Sequence, residues 1–562
     1  MGGPRPRNVQ KKITKKVTHK NSQKQPKKKP NQGKKQISKE TKPLKDISVS
    51  DQRKWKALKA KESKKIWETL RRRKLDPTER QSQVEKVLNL WKGNLKKACL
   101  RPDTCRVIQS VIKYGSEQQR AFLVTSLLGD VIELAKDRYG HFILLKIFRY
   151  CTKEQIDEVV SAFRGQLVSL MKNSYSSDVV DFLYQAVANT QQKRILLHEM
   201  YCGNERRIIA SLGDSLKDVS CLKSFLAKIG IEFRESILNS IVSLLESLCN
   251  NSKLMRSALI HRLTKECFDE LNEKMRKTLA SSLISHGAVM LHTREGSQVV
   301  IECIKLADAK EKKQLAKSLK ADIVKVSMDE YGHRVLLALI NYTDDTAMLE
   351  NVLFRDIIRN ATILFCNKYG RLPILHLLSP CSKRYFNPCA YSFLTDSNEN
   401  TLVKKDFETR RIELLSLIRH SLEDVLQKHL HYFVCNAFSY VIVLEFVLHI
   451  FRNDENILNW LEAIENVYCV QLENKLQGSD SNIKSDADVS STETRFPARI
   501  LRIICKTVDS NEVYQLVSDR LGKYKDIVQD VEERRLASVL ESFSQSGTQR
   551  EGPNEEKELS LE

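Results

Sequence analysis

One nine-residue motif recurs along the sequence and constrains the fold more than any other feature. It reads DRYGHFILL at residues 137–145, DEYGHRVLL at 329–337 and NKYGRLPIL at 367–375. Looser versions at 104–109, 175–180 and 295–300 place marker positions at 104, 140, 176, 296, 332 and 370, so markers within each group are 36 or 38 residues apart. A nearly fixed period of this length predicts a solenoid, in which each unit buries its apolar face against the next unit.

Each unit combines a small marker residue with two kinds of apolar segment. In the unit that begins near residue 137, an aliphatic run at 142–145 follows the marker directly, and an amphipathic segment follows at 155–163. A strand is the alternative for so aliphatic a run. The period is rich in Ala, Leu, Glu and Lys and poor in turn dipeptides, so two or three helices per unit are favoured. The sequence therefore predicts an all-α fold.

The pattern divides the chain into five parts. Residues 99–390 are predicted to form eight units, of which two, near 211–214 and 252–256, lack the Tyr-Gly signature. The other predicted parts are a disordered basic tail at 1–50, a basic helical N-terminal cap at 51–98, degenerate C-terminal repeats at 391–543 with a mobile loop at 477–494, and a disordered acidic tail at 544–562.

The predicted cap contains a basic amphipathic helix and the start of a second helix. Asp76 is a suitable N-cap for the second helix, because Pro77 follows at its first position. Trp67 and Trp91 are predicted to be packing anchors that cover the exposed end of the solenoid, with base stacking as the alternative.

The positive charge is concentrated at the N-terminal end. The chain has a formal net charge of +23, and residues 1–100 contain 32 Lys and Arg against 8 Asp and Glu. Such asymmetry predicts a polyanionic partner or a targeting signal. We interpret the Lys-rich tail as a nuclear or nucleolar import signal that also contacts nucleic acid without specificity; a merely solubilising tail is the alternative.

Several classes of protein are disfavoured by the sequence. No apolar run approaches the roughly 18 residues of a membrane helix, and the N-terminus lacks the apolar core of a secretory signal, so an intracellular protein without a membrane partner is expected. The 14 cysteines form neither a CxxC pair nor a zinc-binding set, which indicates structural thiols. Without a P-loop, GxSxG or HExxH motif or a convergent set of acids and bases, we expect no enzyme, no cofactor and no metal.

Residues 105–115 (CRVIQSVIKYG) and 367–371 (NKYGR), together with the period, resemble Pumilio-homology (PUF) repeats. The whole arrangement is similar to the Puf-A family, whose members join such repeats to a basic N-terminal extension and a C-terminal region called CPL. The resemblance implies a right-handed α-solenoid of Pumilio-like, PUF or armadillo-type repeats, which can be bent into two sub-arrays. The clear array of units breaks at 379–388.

The same resemblance implies a cellular role. Puf-A relatives are expected in the nucleus and nucleolus, in ribosomal RNA processing and biogenesis of the large ribosomal subunit. The implied partners are RNA, above all ribosomal RNA precursors, then double-stranded DNA and pre-ribosomal proteins. We expect the chain to be a monomer.

In PUF repeats, one helix per unit offers three side chains to one RNA base: two bond its edge and one stacks. The first unit keeps such a set as Cys105, Arg106 and Gln109. The other clear units have Leu or Ile at the last of the three positions, and these side chains cannot hydrogen-bond a base. The sequence therefore predicts RNA binding that is largely independent of sequence.

Cationic and polar residues recur at the positions that remain. Positive charges along a groove bind phosphates through counterion release, which gives affinity without sequence preference. The predicted nucleic-acid-binding residues are Cys105, Arg106, Gln109, Lys113, Arg138, His141, Lys146, Arg294, His333, Arg334, Lys368 and Arg371.

Two kinds of ring within the motif have more than one interpretation. Tyr139, Tyr331 and Tyr369 are predicted to pack between repeats rather than to stack on bases. His141 and His333 either bond phosphate or cap the start of a helix, and the sequence leaves both open.

Two alternative functions are compatible with the repeats. One is a sequence-specific, mRNA-binding translational regulator of the PUF type. The other is a protein-interaction scaffold of the HEAT or armadillo kind that grips a peptide. Strong preference for one RNA sequence would favour the first, and binding of nucleic acid that is insensitive to salt would favour the second.

Overall fold

The structure is a computed structural model that describes residues 49–545, apart from 73, 204–218, 396–401, 452–456, 479–486, 509–514, 516 and 519–530. The tail predicted at 1–50 lies almost entirely outside the described residues, as do the unit predicted near 211–214 and most of the acidic tail. The described part of the chain contains no strand and no helix long and apolar enough to cross a membrane.

The helices follow one another along the described chain. They are α1 (Val49–Leu70), α2 (Pro77–Trp91), α3 (Leu95–Cys99), α4 (Pro102–Tyr114), α5 (Glu117–Leu127), α6 (Val131–Lys136), α7 (His141–Tyr150), α8 (Lys153–Phe163), α9 (Leu167–Met171), α10 (Ser174–Phe182), α11 (Thr190–Cys202), α12 (Leu222–Lys228), α13 (Ile231–Cys249), α14 (Ala258–Glu270), α15 (Glu273–Leu283), α16 (Gly287–Met290), α17 (Arg294–Leu306), α18 (Ala309–Leu319), α19 (Ile323–Met328), α20 (Gly332–Tyr342), α21 (Thr346–Leu349), α22 (Arg355–Arg359), α23 (Ala361–Leu364), α24 (Leu372–Leu378), α25 (Phe407–Lys428), α26 (Leu430–Cys435), α27 (Tyr440–Phe451), α28 (Ile457–Gly478), α29 (Ala487–Val508) and α30 (Val531–Gln545).

The helices that begin at the repeated motif, or at its weaker counterparts, lie side by side. We call α4, α7, α10, α14, α17, α20, α24 and α27 the motif row; each contacts the next, and a π-helical turn at Leu183–Val187 continues α10 to meet α14. α29 packs on α27 and α30 packs on α29. Stacked helices without strands in the described residues confirm the predicted all-α solenoid.

The first residue of the motif folds the turn that precedes each motif helix. One carboxylate oxygen of Asp137 accepts hydrogen bonds from the backbone N–H groups of Tyr139 and Gly140, both at 2.7 Å. Asp329 and Asn367 make the same pair of bonds in their own units. Side chains of Asp and Asn favour such turns because they replace a backbone acceptor. The motif therefore begins with Asp or Asn for a local structural reason.

The marker residue of each unit touches the backbone carbonyl six residues earlier. A Cβ atom on Gly140 would lie 2.6 Å from the carbonyl oxygen of Leu134, so only glycine fits this backbone. In the first unit, the Thr104 hydroxyl instead donates to the carbonyl oxygen of Ala98 at 2.6 Å. The same approach recurs for Ser176 on Leu170, Gly296 on Met290, Gly332 on Val326, Gly370 on Leu364 and Ser439 on Phe433. A small residue at the marker position thus lets a motif helix close onto the short helix before it.

The aliphatic run of the motif forms the core between units. In α7, Ile143, Leu144 and Ile147 are fully buried, and equivalent side chains along the motif row join one continuous apolar cluster. Burying a side chain of this size stabilises the fold by about 1.5–3 kcal/mol. Because each helix contributes several, stacking of neighbours provides the stability that a single unit lacks.

Two residues of the segment predicted as the N-terminal cap, Asp76 and Trp91, have the local roles that the sequence predicted. Asp76 is the N-cap of α2, and its carboxylate accepts from the backbone N–H of Thr78 at 2.9 Å and of Glu79 at 3.2 Å. The Trp91 ring is buried, and its N–H donates to the Ser63 hydroxyl at 2.8 Å. The interpretation of Trp91 as a packing anchor is confirmed.

The described part of 99–390 contains seven motif helices, whereas the sequence predicted eight units. The Asp181 carboxylate of α10 accepts from the Ser257 hydroxyl at 3.0 Å and from the Ala258 N–H at 2.7 Å, so α14 is the direct neighbour of α10. The long helix α13 packs against α11, α14 and α15 rather than joining the row. The period weakens here because residues 222–249 form helices outside the motif row.

The prediction of a mobile loop at 477–494 is wrong at both ends of that range. α28 extends to Gly478 and α29 begins at Ala487, while residues 479–486 lie outside the described chain. Ser, Thr and Glu cost at most about 0.7 kcal/mol each in a helix relative to Ala. A polar stretch can therefore form the first turns of a helix whose later residues, such as Ala498 and Leu501, are buried.

Candidate nucleic-acid interface

The first two motif helices and the turn between their units present uncompensated positive charge. Arg106 and Lys113 of α4 and Arg138 before α7 are exposed, and Lys146 of α7 is half-buried. None of these four cations forms an ion pair with a described carboxylate. We call α4 and α7, together with Arg138, the open pair.

Three of these four cations, all except Arg106, lie against neighbouring tyrosine rings instead. The Lys113 ammonium lies 4.8 Å from the Tyr114 ring centre, and the Arg138 guanidinium lies 5.6 Å from the Tyr139 ring centre. A hydrogen bond to the Tyr114 side chain raises the pKa of Lys113. Such contacts hold the charged groups in place without neutralising them, so they remain available to phosphate.

The base-reading set predicted in the first unit is only partly accessible. The buried Cys105 thiol lies 3.2 Å from the Tyr139 carbonyl oxygen, and the Gln109 amide donates to the Cys105 sulfur at 3.2 Å. Arg106 is the fully exposed member of the three. In three later units the base-edge position is buried, because Ile301, Leu337 and Leu375 are at most 2% exposed and pack in the core.

His141 has a structural role in the open pair. Its ring nitrogen Nδ1 lies 3.0 Å from the Asp137 carbonyl oxygen, and its ring stacks on Tyr175 of the next unit at 5.2 Å. Because a carbonyl oxygen only accepts, Nδ1 must carry the proton. The buried ring thus bonds to the turn before α7 and packs between repeats.

Phe142 and Arg71 are two further residues of the site that were not predicted from the sequence. Phe142 follows His141 at the position that Arg106 occupies in α4, and its ring is 46% exposed. The Trp67 N–H donates to the Ser110 hydroxyl of α4 at 3.0 Å, and the Arg71 guanidinium lies 4.6 Å from the Trp67 ring. The aromatic residue at the stacking position was the signal for Phe142; the placement of Arg71 depends on a contact 43 residues away along the chain.

Arg294 and Lys368 are exposed but belong to other units. Arg294 is the first residue of α17, and Lys368 precedes α24 and lies 5.2 Å from the Tyr369 ring. α10 and α14 separate α17 from α7 in the motif row. The structure therefore does not gather all of the predicted cations into one cluster.

His333 of α20 is buried and contacts three other residues. Its Nδ1 lies 2.8 Å from the Asp329 carbonyl oxygen, its Nε2 lies 2.8 Å from the Tyr391 hydroxyl, and its ring stacks on Tyr369 at 4.8 Å. Burial lowers the pKa of His333 to about 4, so the ring is neutral near pH 7. These contacts confirm Tyr369 as a packing residue between repeats. They also place His333 at a helix start rather than at a phosphate.

Arg334 and Arg371 are engaged by the chain itself. Arg334 donates to the Ala390 carbonyl oxygen, and its guanidinium lies 5.7 Å from the Tyr391 ring and 5.8 Å from the Phe393 ring. Arg371 donates to the Phe438 carbonyl oxygen at 3.0 Å. Burial lowers the pKa of both side chains, although a guanidinium stays protonated at neutral pH.

We call α20 and α24 the covered pair and residues 379–395 the covering segment. The sequence predicted equal roles for Arg106, Arg334 and Arg371 because they share one motif position. The structure separates them: only Arg106 is exposed. That Arg334 and Arg371 bind phosphate stays a prediction. Such binding would require phosphate to replace the hydrogen bonds that the two side chains now make.

Comparison with known protein families agrees with this architecture. The model of the Pumilio-family RNA-binding repeat matches residues 105–128, 130–162 and 322–346. The CPL (NUC119) domain model matches 366–512, so it begins within the eighth unit of the sequence prediction.

Relatives and solved structures point the same way. Rat Pumilio homolog 3 is 30% identical over 65% of this chain and 56% of its own length, and human Pumilio homolog 3 is 28% identical over 68% and 58%. The chain thus spans little more than half the length of these relatives. The crystal structure of human Puf-A superposes with a TM-score of 0.71 at 23% identity, covering 87% of this chain and 100% of that one. A structure of human Puf-A in complex with DNA gives 0.69 at 24% identity, covering 86% and 99%.

The motif row and the repeat matches define a Pumilio-repeat solenoid, a class of nucleic-acid-binding scaffold, that continues into a CPL region. Within that class, the repeats, the CPL region and the superposition are similar to those of the Puf-A family, in agreement with the sequence resemblance.

Proposed function

We propose that this chain binds RNA largely without reading its sequence, and that the open pair is the principal contact. The observation that carries the proposal is the set of four cations of the open pair, three of them exposed, that lack a described carboxylate partner. Two of the three segments that match the Pumilio RNA-binding repeat, 105–128 and 130–162, coincide with these units. The buried aliphatic residues at the base-edge positions of later units favour contact with phosphates over contact with bases.

The physical basis of this binding is the release of counterions from the nucleic acid. Each phosphate that a cation neutralises contributes a slope of about −0.7 to a plot of log affinity against log salt concentration for single strands. With about four contacts, affinity should fall roughly 50-fold between 50 and 200 mM salt. The exposed Phe142 ring can add stacking on a base of any identity.

A filter-binding titration with several unrelated RNA sequences at both salt concentrations tests the proposal. We expect similar affinities for all sequences and a steep salt dependence. One strongly preferred sequence would instead support a sequence-specific translational regulator. Binding that does not respond to salt would support a protein-interaction scaffold.

Double-stranded DNA is a second ligand that the same surface can bind. Human Puf-A has been crystallised with DNA, and contact through phosphates alone does not distinguish RNA from DNA. A duplex of unrelated sequence, measured in parallel with single-stranded RNA, should also bind with a steep salt slope. Failure of the duplex to bind would restrict the proposal to RNA.

The proposed setting is the nucleolus, where the chain would act as a non-catalytic, monomeric scaffold in processing of ribosomal RNA for the large subunit. The Lys-rich N-terminal tail and the similarity to the Puf-A family support this setting. Imaging of a fluorescent fusion, with and without residues 1–48, tests the location. Crosslinking followed by sequencing of bound RNA and identification of bound pre-ribosomal proteins tests the role. Absence of ribosomal RNA precursors from the crosslinked RNA would refute it.

A further inference from the structure

A second concentration of positive charge lies in a cleft at the C-terminal end, away from the open pair. The cleft has a volume of about 690 Å³ and lies between α27, α29 and α30. Glu532 is the one described carboxylate among its lining residues. The cations that line the cleft are Arg384, Arg499, Arg502, Lys506, Arg534 and Arg535.

Part of this charge is balanced within the protein. Glu532 accepts from Arg502 Nε at 3.1 Å, pairs with Arg502 Nη2 at 3.0 Å and binds Arg535 Nη1 at 3.1 Å. Arg502 and Glu532 are both buried, so this pair fixes α29 against α30. Both oxygens of the carboxylate are therefore committed to the protein.

Arg384 pairs with Glu445 outside the cleft lining at 3.4 Å, whereas the other three cations have no such partner. Arg499, Lys506 and Arg534 form no ion pair with a described carboxylate, and the buried Nε of Arg499 has no hydrogen-bond acceptor among the described residues. A buried donor without an acceptor destabilises the folded chain. The cleft thus contains a donor and at least two further positive charges that an incoming anion would satisfy.

The composition of the cleft favours phosphate over carboxylate. Five of its six cations are arginines, whose planar guanidinium groups bind phosphate oxygens in pairs. One carboxylate could neutralise only one of the three unpaired cations. A ligand with several closely spaced phosphates could engage all three at once.

The aromatic side chains at the cleft do not offer a free stacking surface. Tyr440 is 8% exposed and its ring stacks on Phe496 at 4.9 Å. The Tyr385 hydroxyl is bonded to the Glu445 carboxylate. Recognition here would therefore rest on phosphates, without a contribution from bases.

We propose that this cleft is a binding site for clustered phosphate groups, supplied either by a free polyphosphate or by the backbone of a nucleic-acid strand. Arg499, Lys506 and Arg534 bind the phosphates directly. Arg502 and Arg535, held by Glu532, shape the wall of the site. The site is separate from the open pair, so it stands or falls independently of the function proposed above.

Isothermal titration of the full chain with inorganic tripolyphosphate tests the site. We expect saturable binding that the double substitution Arg499→Gln and Arg534→Gln weakens at least tenfold. Substituting the exposed Lys274 and Lys277 of α15 by Gln removes the same charge elsewhere and should change the affinity less than twofold. Thermal unfolding midpoints of all variants establish that they fold.

The conservative variant Arg534→Lys guards against a purely structural effect. It keeps the charge, so it should retain tripolyphosphate affinity within about threefold while Arg534→Gln does not. Absence of saturable binding to the wild-type chain would overturn the proposal, as would equal effects of the cleft variant and the α15 control.

Single-stranded RNA distinguishes the two sources of phosphate. If strand phosphates occupy the cleft, tripolyphosphate competes with RNA and the Arg499→Gln, Arg534→Gln variant weakens both ligands. If a free polyphosphate is the ligand, this variant weakens tripolyphosphate alone, while Arg106→Gln with Arg138→Gln weakens RNA alone. Loss of RNA affinity in the cleft variant without loss of tripolyphosphate affinity would contradict the site as described.

Discussion

The open pair and the covered pair contain the same motif but present different surfaces. At α4 the arginine that follows the start of the motif helix is exposed, whereas at α20 the equivalent Arg334 donates to Ala390 and lies between the rings of Tyr391 and Phe393. The difference arises from the chain between α24 and α25, which returns across α20. The role of a motif position therefore depends on what packs on it.

The largest expected effect is on RNA affinity. Reversing the charge of Arg106 and Arg138 to Glu should lower affinity for unrelated single-stranded RNA about 100-fold at low salt, because two phosphate contacts become repulsive. Substituting Arg334 and Arg371 by Gln should change affinity less than twofold, because both are already bonded to the protein. Fluorescence anisotropy with labelled RNA measures both variants.

The exposed lysines of α15 provide the control for charge alone. Lys274→Glu with Lys277→Glu should leave most of the RNA affinity intact. If the Arg334 and Arg371 variant weakened binding as much as the Arg106 and Arg138 variant, the distinction between open and covered pairs would be lost.

Stability should show the opposite ranking of the two arginines. Arg334→Ala should lower the free energy of unfolding by about 1–3 kcal/mol, because the Ala390 carbonyl loses its donor and two rings lose their cation. Arg106→Ala removes an exposed side chain and should change it by less than about 0.5 kcal/mol. Urea unfolding followed by circular dichroism compares the two. Equal losses would show that the covering segment does not depend on Arg334.

The covered pair should also make the protein sensitive to acid. Burial lowers the pKa of His333 to about 4 and that of His376 to about 3. The unfolded chain therefore binds more protons than the folded chain below about pH 6.5, and the stability present above that pH is lost as pH falls toward the folded values. Each histidine should cost roughly 1–2 kcal/mol at pH 5.

His376→Leu separates this effect from general acid unfolding. The ring of His376 lies between Phe386 and Phe407 and has no described hydrogen-bond partner, so a leucine can replace it without loss of a bond. The variant should lose less stability than the wild type between pH 7 and pH 5. An unchanged pH dependence in chemical denaturation would remove His376 from the explanation.

The smallest expected effect concerns the marker residue of α4, which has a hydroxyl, whereas the markers of α7 and of the covered pair are glycines. Thr104→Ala removes the hydroxyl that donates to Ala98 and should cost about 1 kcal/mol of unfolding free energy. Thr104→Ser keeps the hydroxyl and should retain most of the stability. If both substitutions cost the same, the methyl group rather than the hydrogen bond stabilises the start of α4.

Local features of the fold were predictable from the sequence. The period predicted the solenoid, and Asp76 predicted the start of α2. Each of these depends on residues close together in the chain or on a repeat that reports the same local structure many times.

Features that depend on distant contacts were not predictable. Arg334 is bonded to a residue 56 positions later, and the cations of the C-terminal cleft come from segments near 384, 499 and 534. The long helix α13 lies between α10 and α14 in the sequence but outside the motif row. The sequence therefore did not indicate that α14 follows α10 in the row. No pattern within one unit reports which later segment will pack on it.

The contact between each marker residue and the carbonyl six positions before it leaves the chain between units free to vary in length. Because the turn is completed within one short stretch, a longer linker does not disturb it. The segments between α10 and α14 and between α24 and α27 are longer than the other links in the motif row. A long linker can therefore pack on a motif helix, as the covering segment does on α20, and cover a motif position without altering the stack.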